Sequence, residues 1–217
     1  TDSALYSLQY VGAPIVWGST LLADNVSIIS RKSAVYANGV TYWMGEGKFY
    51  KYDGRVQTLN CSLKKYIFRD LNKEQQLQVF AGLNEGFDEV WWFYCSGSST
   101  TIDKYVIYNY AQDIWYFGSL ARTAWVDSPI RDFPMAATYS KNVVTHENGL
   151  NDNLTGVSSA IEAFIASAQF DLDDGHKFAF VYRVVPDVSF DGSTAESPSV
   201  TMSLLPLQSS GSGYNSP

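Results

Sequence analysis

The sequence predicts an all-β protein built from repeated four-stranded antiparallel units. Helical periodicity is nearly absent, whereas short β-branched and aromatic runs bounded by turn residues recur about every ten residues, the spacing of all-β chains. One such run, "DEVWWFYCSG" at 88–97, sets Trp91, Trp92, Phe93 and Tyr94 side by side before Gly97. A helix would space bulky residues three or four apart, and a half-buried strand would alternate them with polar ones. The run therefore fits a strand covered on both faces. Finally, the chain laid on itself repeats at a nearly fixed period, the mark of stacked supersecondary units.

The elements follow in order. "YSLQYVGAPIVWGSTLL" (6–22) reads as the tail of a preceding unit. The first complete unit comprises "SAVYA" (33–37), "VTYWM" (40–44), "KFYKY" (48–52) and "RVQTLNCSL" (55–63). "DLNKEQQLQVF" (70–80) is the best helical patch, with Asp70 or Asn72 placed to cap one or two turns. Strands at "EVWWFYC" (89–95), "KYVIYNY" (104–110) and "IWYFGSL" (114–120) then complete a second unit opened by "QVFAG". Tyr42 and Trp43 align with Trp91 and Trp92 at an offset of 49, Lys48 with Lys104 at 56, and Val56 with Ile114 at 58. The offset grows only between strands, as hairpin-loop insertions would make it. A third unit opens at "AATYSKNVVTHENG" (136–149), where Tyr139 and Val143 stand 103 residues after Tyr36 and Val40. Its aromatic strand is degenerate, and His146 takes the place of Trp43.

Each unit is expected to be a four-stranded antiparallel meander, and meanders stacked radially are the blades of a β-propeller. Trp91, Trp92 and Phe93 would then fill the interfaces on both faces of their sheet. Three units cannot close a ring of four to eight blades, so residues 1–157 are expected to form a partial ring. Residues 158–217 change to longer strands, "AIEAFIASAQFDL", "HKFAFVYRVVPDVSF" and "SVTMSLLPL", and suit a final blade or a small β-sandwich-like segment with a flexible Gly/Ser-rich end. The chain opens on Thr1 and closes on "QSSGSGYNSP", which suits a part of a longer product.

The net charge of −7 and pI of 4.7 argue against a surface that grips nucleic acid, because such binding rests on Lys and Arg neutralising phosphates. "RKS" at 31–33 reads as an ordinary solvated turn. No apolar run approaches the roughly 18 residues of a spanning helix, and no signal segment opens the chain, so neither a membrane partner nor a secretory route is expected. Cys61 and Cys95 lie in separate strands without metal-ligand spacing; two buried free thiols are the expectation, one disulfide the alternative.

Candidate chemistry is sparse. Asp171, Asp173, Asp174 and Gly175 resemble a calcium loop, but the alternate-position oxygen spacing is broken and a tight Asp-Gly turn is the plainer reading. His146 precedes Glu147, yet His176 is the one other histidine and does not stand at zincin spacing. A glycosidase would need two carboxylates roughly 5 to 10 Å apart. Asp53, Glu89, Asp103 and Asp127 sit at strand ends, and each suits a turn or an interblade contact. Arg122, Asp127, Arg131 and Asp132 in "LARTAWVDSPIRDFP" suit charged ties, read first as intrablade and otherwise as reaching the next blade or a partner subunit. Phosphate-loop, nucleophile-elbow and Cys-x-x-Cys motifs are missing. The sequons at Asn25, Asn60 and Asn153 have no secretory route to serve. Exposed aromatics also line sugar surfaces, which keeps glycan binding open.

"NEGFDEVWWFYCSGSSTTIDKYVIYNYAQDIWYFGSLARTAWVD" (84–127), with its flanks at 40–59 and 161–190, resembles the blade signature of virion structural proteins of tailed bacteriophages. The resemblance implies a β-propeller at the head-to-tail junction or in the tail, of the kind that plugs the portal and stabilises packaged DNA. It implies a non-enzymatic structural protein with no catalytic, cofactor or metal residues, assembled in the host cytoplasm and resident in the virion. The implied partners are portal, neck or tail subunits and further copies in a homo-oligomeric ring, without a direct grip on nucleic acid. An acidic surface beside a DNA exit would avoid holding the genome, because like charges repel. The alternative is a carbohydrate-binding or carbohydrate-cleaving propeller, as in receptor-binding tail proteins.

Overall fold

Alternation of aromatic and β-branched residues with tight turns yields the antiparallel sheets of the described residues. The computed structural model describes residues 3–128, 130–152, 158–161, 163–167 and 180–207. Two units, Thr1–Ile161 and Glu162–Pro217, are distinguished.

In the first unit, strands β1 (Ala4–Tyr10) and β2 (Trp17–Asp24) form a two-stranded hairpin. Strands β3 (Ala34–Ala37), β4 (Val40–Met44), β5 (Phe49–Tyr52) and β6 (Val56–Leu59) pair in sequence order as one antiparallel meander. Strands β7 (Phe80–Asn84), β8 (Glu89–Tyr94), β9 (Lys104–Asn109) and β10 (Ile114–Ser119) form a second meander in the same order. The two repeats read from the sequence are thus two four-stranded sheets. Local chemistry sets the first turn: Asn38 and Gly39 both take positive φ, as a two-residue turn between β3 and β4 requires.

Between the meanders the helical expectation is met in part. An α-helix, α1 (Lys64–Asp70), lies upstream of the anticipated patch, and Lys73–Gln78 is a 3₁₀ turn. Asn72 does cap that turn, accepting from the Glu74 amide at 3.0 Å. Asp70 instead receives Lys104 Nζ at 2.8 Å, pinning the end of α1 to β9. No side chain caps the start of α1 and its first turn holds no acid; burial of Ile67 holds it in place.

The two faces of β8 answer the question posed by its composition. Val90, Trp92 and Tyr94 face the first meander, in a core with Tyr42, Met44 and Phe49. Trp91 and Phe93 face the other way, with Phe80 and Ile107, and Trp125 packs on them. Trp92 and Phe93 are each 0% exposed, so both faces are sealed. The meanders are joined where Ala81 donates to the Lys32 carbonyl at 2.7 Å and Trp92 Nε1 to the Ser33 carbonyl at 2.9 Å. The charges of Arg31 and Lys32 are solvated as anticipated, but the backbone of that turn is part of the sheet junction.

The third repeat differs from expectation. It is a three-stranded sheet of β11 (Ala124–Val126), β12 (Met135–Ala137) and β13 (Val143–Thr145), starting earlier than residue 136. Trp125 draws β11 onto β7, while Glu147 and Gly149, both at positive φ, turn the chain after β13 before a fourth strand forms. Strands β14 (Asn151–Asp152) and β15 (Ser159–Ala160) make a minimal pair. The protein is all-β, and among the described residues its sheets do not close into a ring.

In the second unit, residues 163–167, 180–190 and 199–207 carry no strand, contrary to the runs read from the sequence. A strand needs a ladder partner as well as a β-prone run, and among the described residues none pairs with these. The Asp171 to Gly175 loop, His176, Asn153 and the 208–217 end lie outside the described residues.

Candidate functional site

The chemistry-bearing side chains of the first unit gather where the third sheet meets the second. Gly82 on β7 leaves room for the Trp125 ring, whose Nε1 donates to the Leu83 carbonyl at 2.7 Å and whose ring stacks on Trp91 at 5.1 Å. On its other side the Trp125 ring meets His146 at 4.7 Å. His146 Nε2 in turn accepts from Arg122 Nε at 2.9 Å, and Arg122 also donates to the Ala121 carbonyl. Arg122 is only 8% exposed. Burial lowers the pKa of both groups; the Arg122 charge adds to the effect on His146, which is pushed down to about 4. His146 is therefore a neutral acceptor at ordinary pH, serving the sheet junction as its alignment with Trp43 suggested.

Beside this junction opens a cavity of about 270 Å³, lined among others by Glu85, Phe87, Asp127, Arg131, Phe133 and Glu147. The strand-end carboxylates singled out in the sequence do not converge there as a set. Asp53 is exposed, pairs with Lys51 at 3.5 Å and receives Gln57. Asp103 receives the Ser96 amide at 2.8 Å and the Ser96 hydroxyl. Asp127 receives the Glu85 amide at 2.8 Å, so this carboxylate ties the third sheet to the β7–β8 loop and its bond is not intrablade. Arg131 and Asp132 are exposed on the cavity wall.

Glu89 stands apart. Its Oε2 accepts from Trp91 Nε1 at 2.9 Å and from Asn84 Nδ2 at 3.4 Å. Burial nevertheless pushes its pKa up, the donations from Trp91 and Asn84 counter this, and the nearby Glu147 charge raises it further. Desolvation raises Glu147 as well, although one side of it meets solvent. The sequence did not mark Glu89 and Glu147 as partners: they lie 58 residues apart, and only the packing of the third sheet on the second, with β11 on β7 and Trp125 on Trp91, couples them.

Cys61 and Cys95 are both buried free thiols, and burial pushes the Cys61 thiol up to about 11. Asn25 takes positive φ in a turn, and the Asn60 carbonyl receives Trp115 Nε1 at 3.0 Å. Among the described residues no three His, Cys, Asp or Glu side chains gather in a metal-holding group. No protein-family model matches the chain, and no curated protein matches it.

Proposed function

We propose that the chain is a non-enzymatic structural component of a bacteriophage virion, placed in the tail or head-to-tail junction. It works through protein–protein assembly, with retention of packaged DNA as the mechanical outcome. The observation that carries this reading is the pair of successive four-stranded meanders that share an aromatic face. Such sheets are the repeating part of a propeller, and rigidity from aromatic packing suits a load-bearing ring. The blade-like resemblance of residues 84–127 supplies the virion context. Portal, neck or tail subunits and further copies of the chain are the proposed partners, in the virion after assembly in the host cytoplasm.

Light scattering tests this, first on the purified chain and then on the chain mixed with dissociated virion proteins. A ring-sized oligomer, or co-migration with portal or tail proteins, is expected. A monomer that engages no virion protein overturns the proposal.

A carbohydrate-binding or carbohydrate-cleaving role is the second reading, favoured by the cavity with Glu147, Phe87 and Phe133 on its wall. A raised carboxyl near an aromatic wall suits sugar recognition. Retention on a glycan array that is lost in Glu147→Gln would favour it; no retention would remove it.

A further inference from the structure

Residues 3–23 contain no Asp, Glu, Lys, Arg or His, in a chain of net charge −7. They fold into the β1–β2 hairpin, and among the described residues no other strand pairs with it. Along the stem the two faces differ: Tyr6 opposes Leu21 and Tyr10 opposes Trp17 on one face, while Ser7 opposes Thr20 and Gln9 opposes Gly18 on the other. At the tip the distinction disappears. Tyr10 is 70% exposed, Val11 58%, Ile15 66%, Val16 51% and Trp17 62%, so apolar side chains point outward on both sides.

We infer that this tip is a lipid-surface anchor which inserts into the interfacial layer of a bilayer without crossing it. Three features favour lipid over a protein groove. A docking face is apolar on one side, whereas this tip is apolar all round, as suits a medium that surrounds it. Tyr10 and Trp17, in edge contact at 6.0 Å, form an aromatic collar behind Val11, Ile15 and Val16, and such rings favour the headgroup level. Backbone demands at the tip are modest: Tyr10 and Trp17 pair, Val11 donates to the Val16 carbonyl at 3.2 Å, and Pro14 has no amide hydrogen. A two-stranded hairpin is marginal in water, and burying its tip about 5–10 Å deep would supply the missing apolar contact. The expectation of no membrane partner rested on the lack of a spanning run, which does not bear on shallow insertion.

Flotation with zwitterionic phosphatidylcholine vesicles tests the inference, since a neutral tip on an acidic chain should not need anionic lipid. The chain is expected to float, with its tryptophan emission quenched by lipids brominated near the headgroup. The double variant Ile15→Asp/Val16→Asp should lose about tenfold or more of the bound fraction with an unchanged unfolding midpoint, and Ile15→Ser should lose less. The inference fails if the chain does not float, or if the double variant floats equally well. It fails also if the chain has twice its 24.1 kDa mass and the double variant reverts to one copy, because a second copy would then cover the tip.

Discussion

Adding one methyl group at Gly82 tests how the third sheet is held. A Cβ built there would lie 2.5 Å from Trp125 Cδ1 and 2.7 Å from Cγ, where ordinary contact is 3.4–4 Å. The ring would have to retreat by about 1 Å. It cannot do so freely, because Trp91 stacks on it at 5.1 Å, His146 lies 4.7 Å away, and Nε1 is bonded to the Leu83 carbonyl at 2.7 Å. Overpacking of this kind costs about 1–3 kcal/mol, and loss of the indole bond adds about 1 kcal/mol. Gly82 is not in the left-handed region, so alanine suits its backbone and by itself would gain about 0.5 kcal/mol. Gly82→Ala should therefore destabilise by about 2–3 kcal/mol in the wild-type background and become neutral or stabilising in Trp125→Ala. Urea unfolding of the four proteins in the cycle, followed by far-UV circular dichroism, measures the difference. An equal penalty in both backgrounds, or none in the wild type, would refute the reasoning that Gly82 exists to admit Trp125.

Other predictions concern titration and the core. His146 is held neutral in the fold, so the unfolded chain binds its proton first as pH falls below the ordinary 6.5. Stability from this group is complete above that value and is lost toward about 4, at up to about 1.4 kcal/mol per pH unit. Glu89, with its raised pKa, acts in the opposite sense, so the assay is the difference between wild type and His146→Gln at pH 7 and pH 5. An identical pH slope in the two proteins would rule out the His146 contribution. Trp92→Phe should cost about 2–3 kcal/mol in urea melts, from the cavity and the bond forfeited to the Ser33 carbonyl; a loss below about 0.5 kcal/mol would show that the junction does not depend on it. Cys61 and Cys95 should resist a thiol reagent in the native state and react together on unfolding, and immediate labelling of either would contradict their burial.

Much of the fold was legible because alternating strands and turns are local facts. The seven strands read between residues 33 and 120 appear with ends shifted by at most a few residues, and Trp91, Trp92 and Phe93 do fill both faces of their sheet. The short helical turn expected within 70–80 is present as a 3₁₀ helix capped by Asn72, whereas α1 is not announced because it has neither a capping side chain nor a long apolar stripe; its position follows from burying Ile67 and pairing Asp70 with Lys104. The candidate site was less legible. His146 and Glu147 are neighbours in sequence, but Arg122 as a hydrogen-bond donor to His146 and Glu89 as the neighbour of Glu147 arise only where separate strands meet.

Composition and period alone determined that the chain is all-β and repeats a four-stranded antiparallel unit, because strand pattern and hairpin turns are set by neighbours in sequence. Tertiary packing decided the rest. The third sheet docks on the second because the Trp125 ring fits the space above Gly82, and Asp127 crosses to Glu85 because the sheets meet there. Contacts between residues tens of positions apart depend on how sheets face one another, and no local signal encodes that.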